Sequence, residues 1–179
     1  MRLKKTVVMV GMMGAGKTAV GTALARLLKV TFLDSDEEIV KAADRSIAEI
    51  FERDGEAFFR DREYEVIGRL LRGAPAVLST GGGAFLSERN REQIRESGIS
   101  VWLRADLDLL WNRVRHKTTR PLLRTPDPRA TLAQLYHTRL PSYQLADLAV
   151  DASPDYSVEQ MAVRVAEALR TRPDALEEA

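Results

Sequence analysis

The octapeptide Gly11-Met12-Met13-Gly14-Ala15-Gly16-Lys17-Thr18 constrains this chain more than any other stretch. It has the spacing G-x-x-x-x-G-K-[ST] of a phosphate-binding loop, which belongs between a strand and a helix. Both neighbours are present. Thr6-Val7-Val8-Met9-Val10 is a continuous apolar, β-rich run, the composition of a strand buried on both faces. Beyond the loop, Ala19, Val20, Ala23, Leu24, Leu27 and Leu28 recur at helical spacing. The loop therefore opens a helix, whose unpaired N-terminal N–H groups and positive dipole end face an anion. Its glycines let the backbone curl round phosphate oxygens without a Cβ in the way. Lys17 is placed to reach the β- and γ-phosphates of a nucleoside triphosphate, and the Thr18 hydroxyl to hold Mg²⁺.

With 179 residues, 45% of them hydrophobic and 30% charged, the chain fits one globular domain with a substantial core. A formal net charge of +1 gives no global electrostatic case for nucleic acid or membrane. The absence of cysteine excludes disulfides, thiolate metal sites and a thiol nucleophile. No apolar run approaches the roughly 18 residues of a membrane span. Met1-Arg2-Leu3-Lys4-Lys5, basic and followed by apolar residues, faintly resembles a signal peptide. Cleavage there would destroy the phosphate loop, so a cytoplasmic protein is expected.

Short apolar runs recur at Thr6–Val10, Val30–Leu33, Ala76–Leu78, Ile99–Leu103 and Leu148–Val150, with helical patterns between them. That alternation predicts a three-layer α/β fold, a central parallel five-stranded sheet with helices on both faces. Ligands of such sheets bind beyond the C-terminal strand ends, so the residues just after each strand are where chemistry is sought. The expected domain covers residues 1–172, and 173–179 is expected to fray.

Asp34-Ser35-Asp36 follows the second run. In an extended strand, residues i and i+2 point to one side, so both carboxylates would leave the strand together. One would support a metal, the other accept the proton of an attacking hydroxyl; alternatively Asp36 only N-caps the next helix. Ser46-Ile47-Ala48-Glu49 is a capping box, and Asp54-Gly55 ends the helix it opens. The next helix, from about Glu56 to Leu71, is dense in charge. Arg60 and Glu63 either pair on a solvated face or present the Arg60 fork to a small carboxylate. Gly81-Gly82-Gly83, directly after a strand, suggests backbone brought close to a ligand rather than a mere turn.

Arg113 to Arg124 holds five Lys/Arg, both ends included, and no acid, interrupted by Pro121. It reads as a mobile lid over about 113–126 that closes on phosphates and excludes water, the alternatives being a solvated basic loop or a nucleic-acid patch. Arg139 follows the apolar helix face of Leu132, Leu135 and Tyr136, and Pro141 is expected to limit that helix. The last helix has Ser157 as N-cap and Val158, Met161, Val165 and Leu169 as its buried stripe. No Asp-Glu strand end, Asn-Lys-x-Asp or Asp-x-x-Gly motif occurs, which argues for a small-molecule kinase over a GTPase or motor ATPase.

These elements in this order resemble the shikimate kinase family over nearly the whole chain. The matching pieces are the octapeptide, Asp34-Ser-Asp36, Ser46-Ile-Ala-Glu-Ile-Phe51, Asp54-Gly-Glu56 with Phe59-Arg60 and Glu63, Gly81-Gly-Gly83, Arg120-Pro-Leu122, and Arg139 followed by Tyr143. The resemblance implies a P-loop NTP-hydrolase fold of nucleoside-monophosphate-kinase type that transfers the γ-phosphate of ATP to the 3-hydroxyl of shikimate. It implies nucleotide contacts at Gly14, Ala15, Gly16, Lys17, Thr18 and Ala19, with Arg113 near the adenine and Arg120 on the phosphates. Thr18 and Asp34 would serve Mg²⁺, Asp34 through water. Asp36 would hold the shikimate hydroxyls as candidate base, Arg60 and Arg139 would grip the carboxylate, and Gly81, Gly82 and Gly83 would line the pocket. Lys17, Asp36 and Arg120 are thus the catalytic candidates. The implied partners are shikimate and ATP, with no nucleic acid or membrane, and the protein is expected to be a monomer. The rival readings are a gluconate or nucleoside-monophosphate kinase, a nucleotide-binding module without catalysis, and a lid that binds RNA.

Overall fold

The computed structural model describes residues 1–116 and 124–178. The lid residues 117–123, Arg120 among them, lie outside the described residues. Five strands form one parallel sheet in the order β3-β4-β2-β5-β6. They are β2 (Thr6–Val10), β3 (Phe32–Asp34), β4 (Val77–Ser79), β5 (Gly98–Arg104) and β6 (Leu148–Asp151). The most apolar run takes the central place: β2 is buried along its whole length, between β4 and β5. After β4 the chain crosses to β5 on the other side of β2, which makes the C-terminal end of β2 the switch point of the sheet. The phosphate loop stands there, and α1 (Lys17–Leu28) follows it.

Helices cover the sheet because each carries one apolar face. Among the helices, α1 packs with α7 (Val158–Leu169), whose Met161, Val165 and Leu169 are buried as predicted while Val158 is exposed. Ser157 caps α7, and Gln160 completes a capping box. The remaining helices are α2 (Ser35–Ala43), α3 (Ile47–Leu71), α4 (Glu88–Ser97), α5 (Leu107–Val114) and α6 (Pro128–Tyr143). α3 contains the two helices expected from the sequence, joined at Gly55, whose φ of 86° and ψ of 172° belong to glycine alone. The α2–α3 unit has its own small core of Ile39, Ile50, Phe59 and Val66.

Three expectations are corrected. The residues after Arg172 do not fray: β7 (Leu176–Glu177) pairs antiparallel with β1 (Arg2–Leu3), and Ala175 and Leu176 are buried. Pro141 does not limit its helix, since α6 runs on to Tyr143. A proline in the last turn forfeits only its own N–H bond, and the Gln144 amide still reaches the Leu140 carbonyl at 3.0 Å. Finally, β3 stops at Asp34 and Ser35 is already helical, so Asp34 and Asp36 do not leave an extended strand side by side.

Candidate active site

The phosphate loop ends in Gly16, the N-cap of α1, with φ 96° and ψ 21°. That left-handed turn aims the first N–H groups of α1 out of the sheet edge. Lys17 folds back along the loop, its Nζ donating to the carbonyls of Gly11 at 2.6 Å and Met12 at 3.2 Å. Thr18 and Ala19 are exposed in the first turn. Arg113, at the end of α5, reaches over to the loop and donates from Nη1 to the carbonyls of Gly14 at 3.0 Å and Ala15 at 3.2 Å. It braces the loop from the α5 side.

Between the ends of β3 and β4 lies a second half of the site. Asp34 accepts from the Glu37 amide at 3.1 Å and is the N-cap of α2. The cap is therefore Asp34 and not Asp36, because the helix starts at Ser35, two residues earlier than a cap at Asp36 would require. Asp36 is left free of capping, and its Oδ1 is buried without a hydrogen-bond partner among the described residues. Burial pushes the Asp36 carboxyl above its ordinary value; the charge of Asp34 adds to this, and Lys17 and Arg60 oppose it. Asp36 lines the same cleft as Lys17 and Arg60.

Arg60 projects from α3 beside the Phe59 ring, its Cζ 5.2 Å from the ring centroid. It donates to Glu63 Oε1 at 3.0 Å. Glu63 is 1% exposed, so the charges on the sequence's supposed solvated face are in part an internal pair. Burial raises the Glu63 carboxyl, and the charge and hydrogen bond of Arg60 pull it back. Asn90 of α4 donates to the same oxygen at 3.5 Å and to the Ala84 carbonyl at 3.0 Å.

The three glycines join these pieces. A Cβ at Gly81 would lie 2.8 Å from Asp36 Oδ1, one at Gly82 2.7 Å from Arg139 Nη1, and one at Gly83 2.5 Å from Arg60 Nη2. Each glycine thus abuts one of the three side chains singled out in the sequence. A cleft of about 820 Å³ runs from this cup past Lys17 and Thr18 to Arg113. All the predicted site residues among the described residues line it: Gly14 through Ala19, Asp34, Asp36, Arg60, Gly81 through Gly83, Arg113 and Arg139.

The sequence reading missed part of that wall. Ile47, Phe51 and Phe59 supply apolar lining near the cup, and Ala152, Tyr156, Val158 and Met161 supply it on the side of β6 and α7. Ala152 directly follows β6, where the sequence already places the ligand side, and Tyr156 lies four residues beyond it. Thr18 and Asp34 offer hard oxygen donors, and the cap engages only Oδ1 of Asp34. That donor set suits Mg²⁺, which takes one or two protein oxygens and completes its shell with phosphate and water.

A parallel sheet of this order, with the phosphate loop at its switch point and a cup of mixed charge across from it, defines the class: a P-loop kinase for a small molecule. Comparison with known proteins narrows this further. The family model of shikimate kinase matches residues 13–170. Shikimate kinase from Cereibacter sphaeroides is 72% identical over 176 residues, 98% of this chain and 88% of that protein. The one from Ruegeria pomeroyi is 70% identical over 98% of this chain and 90% of its own length. Among solved structures, shikimate kinase from Acinetobacter baumannii in complex with shikimate superposes with a TM-score of 0.85 at 36% identity, covering 93% of each chain. This chain belongs to the shikimate kinase family. A gluconokinase from Sinorhizobium meliloti, at 21% identity and a TM-score of 0.60 over 96% of this chain and 99% of its own, shares the fold alone.

Proposed function

We infer that this chain transfers the γ-phosphate of ATP to the 3-hydroxyl of shikimate, giving shikimate 3-phosphate and ADP on the route to chorismate and the aromatic amino acids. Family membership and the likeness to a relative solved with shikimate support the reaction. The observation that carries the residue roles is the glycine turn with Asp36, Arg139 and Arg60 each against one of its members.

Shikimate is a small ring bearing one carboxylate and three hydroxyls. Two guanidinium forks against the turn suit the carboxylate, and a carboxylate with an unpartnered oxygen suits the hydroxyls. Asp36 accepts the proton of the 3-hydroxyl as its oxygen bonds to phosphorus, and the bond from the γ-phosphorus to the bridging oxygen of ADP breaks. Its raised carboxyl brings its basicity closer to that task. If the transition state is loose, orientation of the hydroxyl counts for more than early proton removal. Lys17 turns from the loop carbonyls to the phosphates, Arg120 comes onto them from the lid, and Arg113 holds the loop against α5. Thr18, and Asp34 through water, would hold Mg²⁺, which would neutralise phosphate charge.

Among the described residues no helix is long and apolar enough to cross a membrane.

The test is ADP release from Mg-ATP with shikimate, gluconate and AMP offered separately, repeated with Arg60→Ala. Release with shikimate alone, lost in the variant, is expected. Release with gluconate or AMP instead would overturn the acceptor, and no release with any of them would leave only nucleotide binding.

A further inference from the structure

We propose that Tyr143 is a positioning residue for the acceptor pocket, its hydroxyl tying the Gly82 backbone to α6 and thereby fixing where Arg139 stands against the glycine turn. This rests on the reading of Arg139 as a carboxylate-binding residue.

Tyr143 is the last residue of α6 and is 2% exposed. It lies one turn beyond Arg139, at i and i+4, and so shares a helix face with it. That register exists only because α6 continues through Pro141. The Tyr143 hydroxyl donates to the Gly82 carbonyl at 2.9 Å. A phenol has one proton to give, and an arginine can only donate. With the proton committed to Gly82, the phenol oxygen is left as an acceptor toward Arg139, whose charge acts on it. Burial raises the phenol, outweighing the charge and hydrogen bonding of Arg139, so it stays a donor at neutral pH.

The ring is fixed independently of the hydroxyl. It stacks on Trp102 of β5, with centroids 6.1 Å apart and planes at 26°. Trp102 in turn lies beside the start of the phosphate loop, its Cδ1 3.5 Å from where a Cβ on Gly11 would sit. The hydroxyl is thus held relative to the sheet centre, and the acceptor pocket is built against that reference. The remaining space is tight: the Arg139 guanidinium fits beside Gly82 only because that residue has no side chain.

Tyr143→Phe keeps the ring on Trp102 and removes the hydroxyl, with its bond to Gly82 and its interaction with Arg139. The expected result is a KM for shikimate raised roughly tenfold, the scale of one lost charge-assisted bond, with the KM for ATP changed by less than about twofold. Arg139→Ala should raise the shikimate KM at least as much, and adding Tyr143→Phe to it should change nothing further, because the hydroxyl acts through the lost side chain. Equal rises in both KM values, or additive losses in the double variant, would make the role merely structural and overturn the proposal. A rise with Arg139→Ala but none with Tyr143→Phe would also overturn it while sparing the carboxylate reading. No rise with Arg139→Ala would overturn both. A readout independent of variant folding is the ¹³Cζ signal of labelled Tyr143 in the natural chain. It should move on saturation with shikimate, and a stationary signal would count against the proposal.

Discussion

Arg60 is the side chain whose position depends on most others. Glu63 holds it from behind, and Gly83 leaves it room in front. Glu63 is buried and has Asn90 on the same oxygen, so it cannot follow Arg60 outward. A methyl group at residue 83 would therefore displace the guanidinium rather than share space with it. Gly83→Ala is expected to raise the KM for shikimate by roughly 10- to 100-fold, since displacements near 1 Å at a reacting site cost up to about that much. The KM for ATP should stay put, because the phosphate loop is untouched. Steady-state kinetics with each substrate varied in turn reads this directly; an unchanged shikimate KM would mean that Arg60 does not meet the substrate there. The sequence marked both residues but not their pairing. Three glycines in a row announce close approach, yet which side chain approaches which glycine is a tertiary fact with no local signal.

At the scale of elements, the first turn of α2 does two jobs. Asp34 caps the helix, and the same residue is the proposed metal support. The two jobs respond differently to substitution. Asp34→Ala removes the cap and should cost about 1 kcal/mol in urea unfolding, whereas Asp34→Asn keeps a capping oxygen and should cost little. Asn lacks the charge, so it should still raise the Mg²⁺ concentration needed for half-maximal rate. Equal stability losses for the two variants would refute the capping assignment. The buried strands were legible here because a parallel strand covered on both faces must be a continuous apolar run. The cap was not, because Asp34 and Asp36 are equally good capping residues and only the end of β3 decides between them. Pro141 misled for a similar reason: its cost depends on how many hydrogen bonds remain beyond it, and in a last turn few do.

Over the whole molecule, the two ends of the chain close on each other, which no local pattern could reveal. β1 and β7 have two residues each, too short for a periodicity, and their partners lie more than 170 residues apart in sequence. Leu3, Ala175 and Leu176 are nevertheless buried, and around them stands a charged clasp. Asp174 accepts from Lys5 Nζ at 2.9 Å and from both Arg172 Nε and Nη2 at 2.9 Å. The Arg172 and Lys5 hydrogen bonds hold the Asp174 carboxyl well below its ordinary value of 3.8. The sign of the pH effect follows. The unfolded chain binds the proton more readily than the folded one, so the clasp stabilises the fold above pH 3.8 and loses that effect as pH falls below it toward the depressed folded value. Asp174→Asn should therefore be less stable than the natural chain at neutral pH, with the gap narrowing once the pH passes below the ordinary aspartate value. Urea unfolding of both proteins at neutral pH, at pH 5 and near pH 3 checks this. A gap that stays constant across those conditions would mean that the terminal pairing rests on the buried Leu3, Ala175 and Leu176 alone. Because Asp174 is exposed and screened by solvent, added salt should shrink the same gap at neutral pH without moving the shikimate KM.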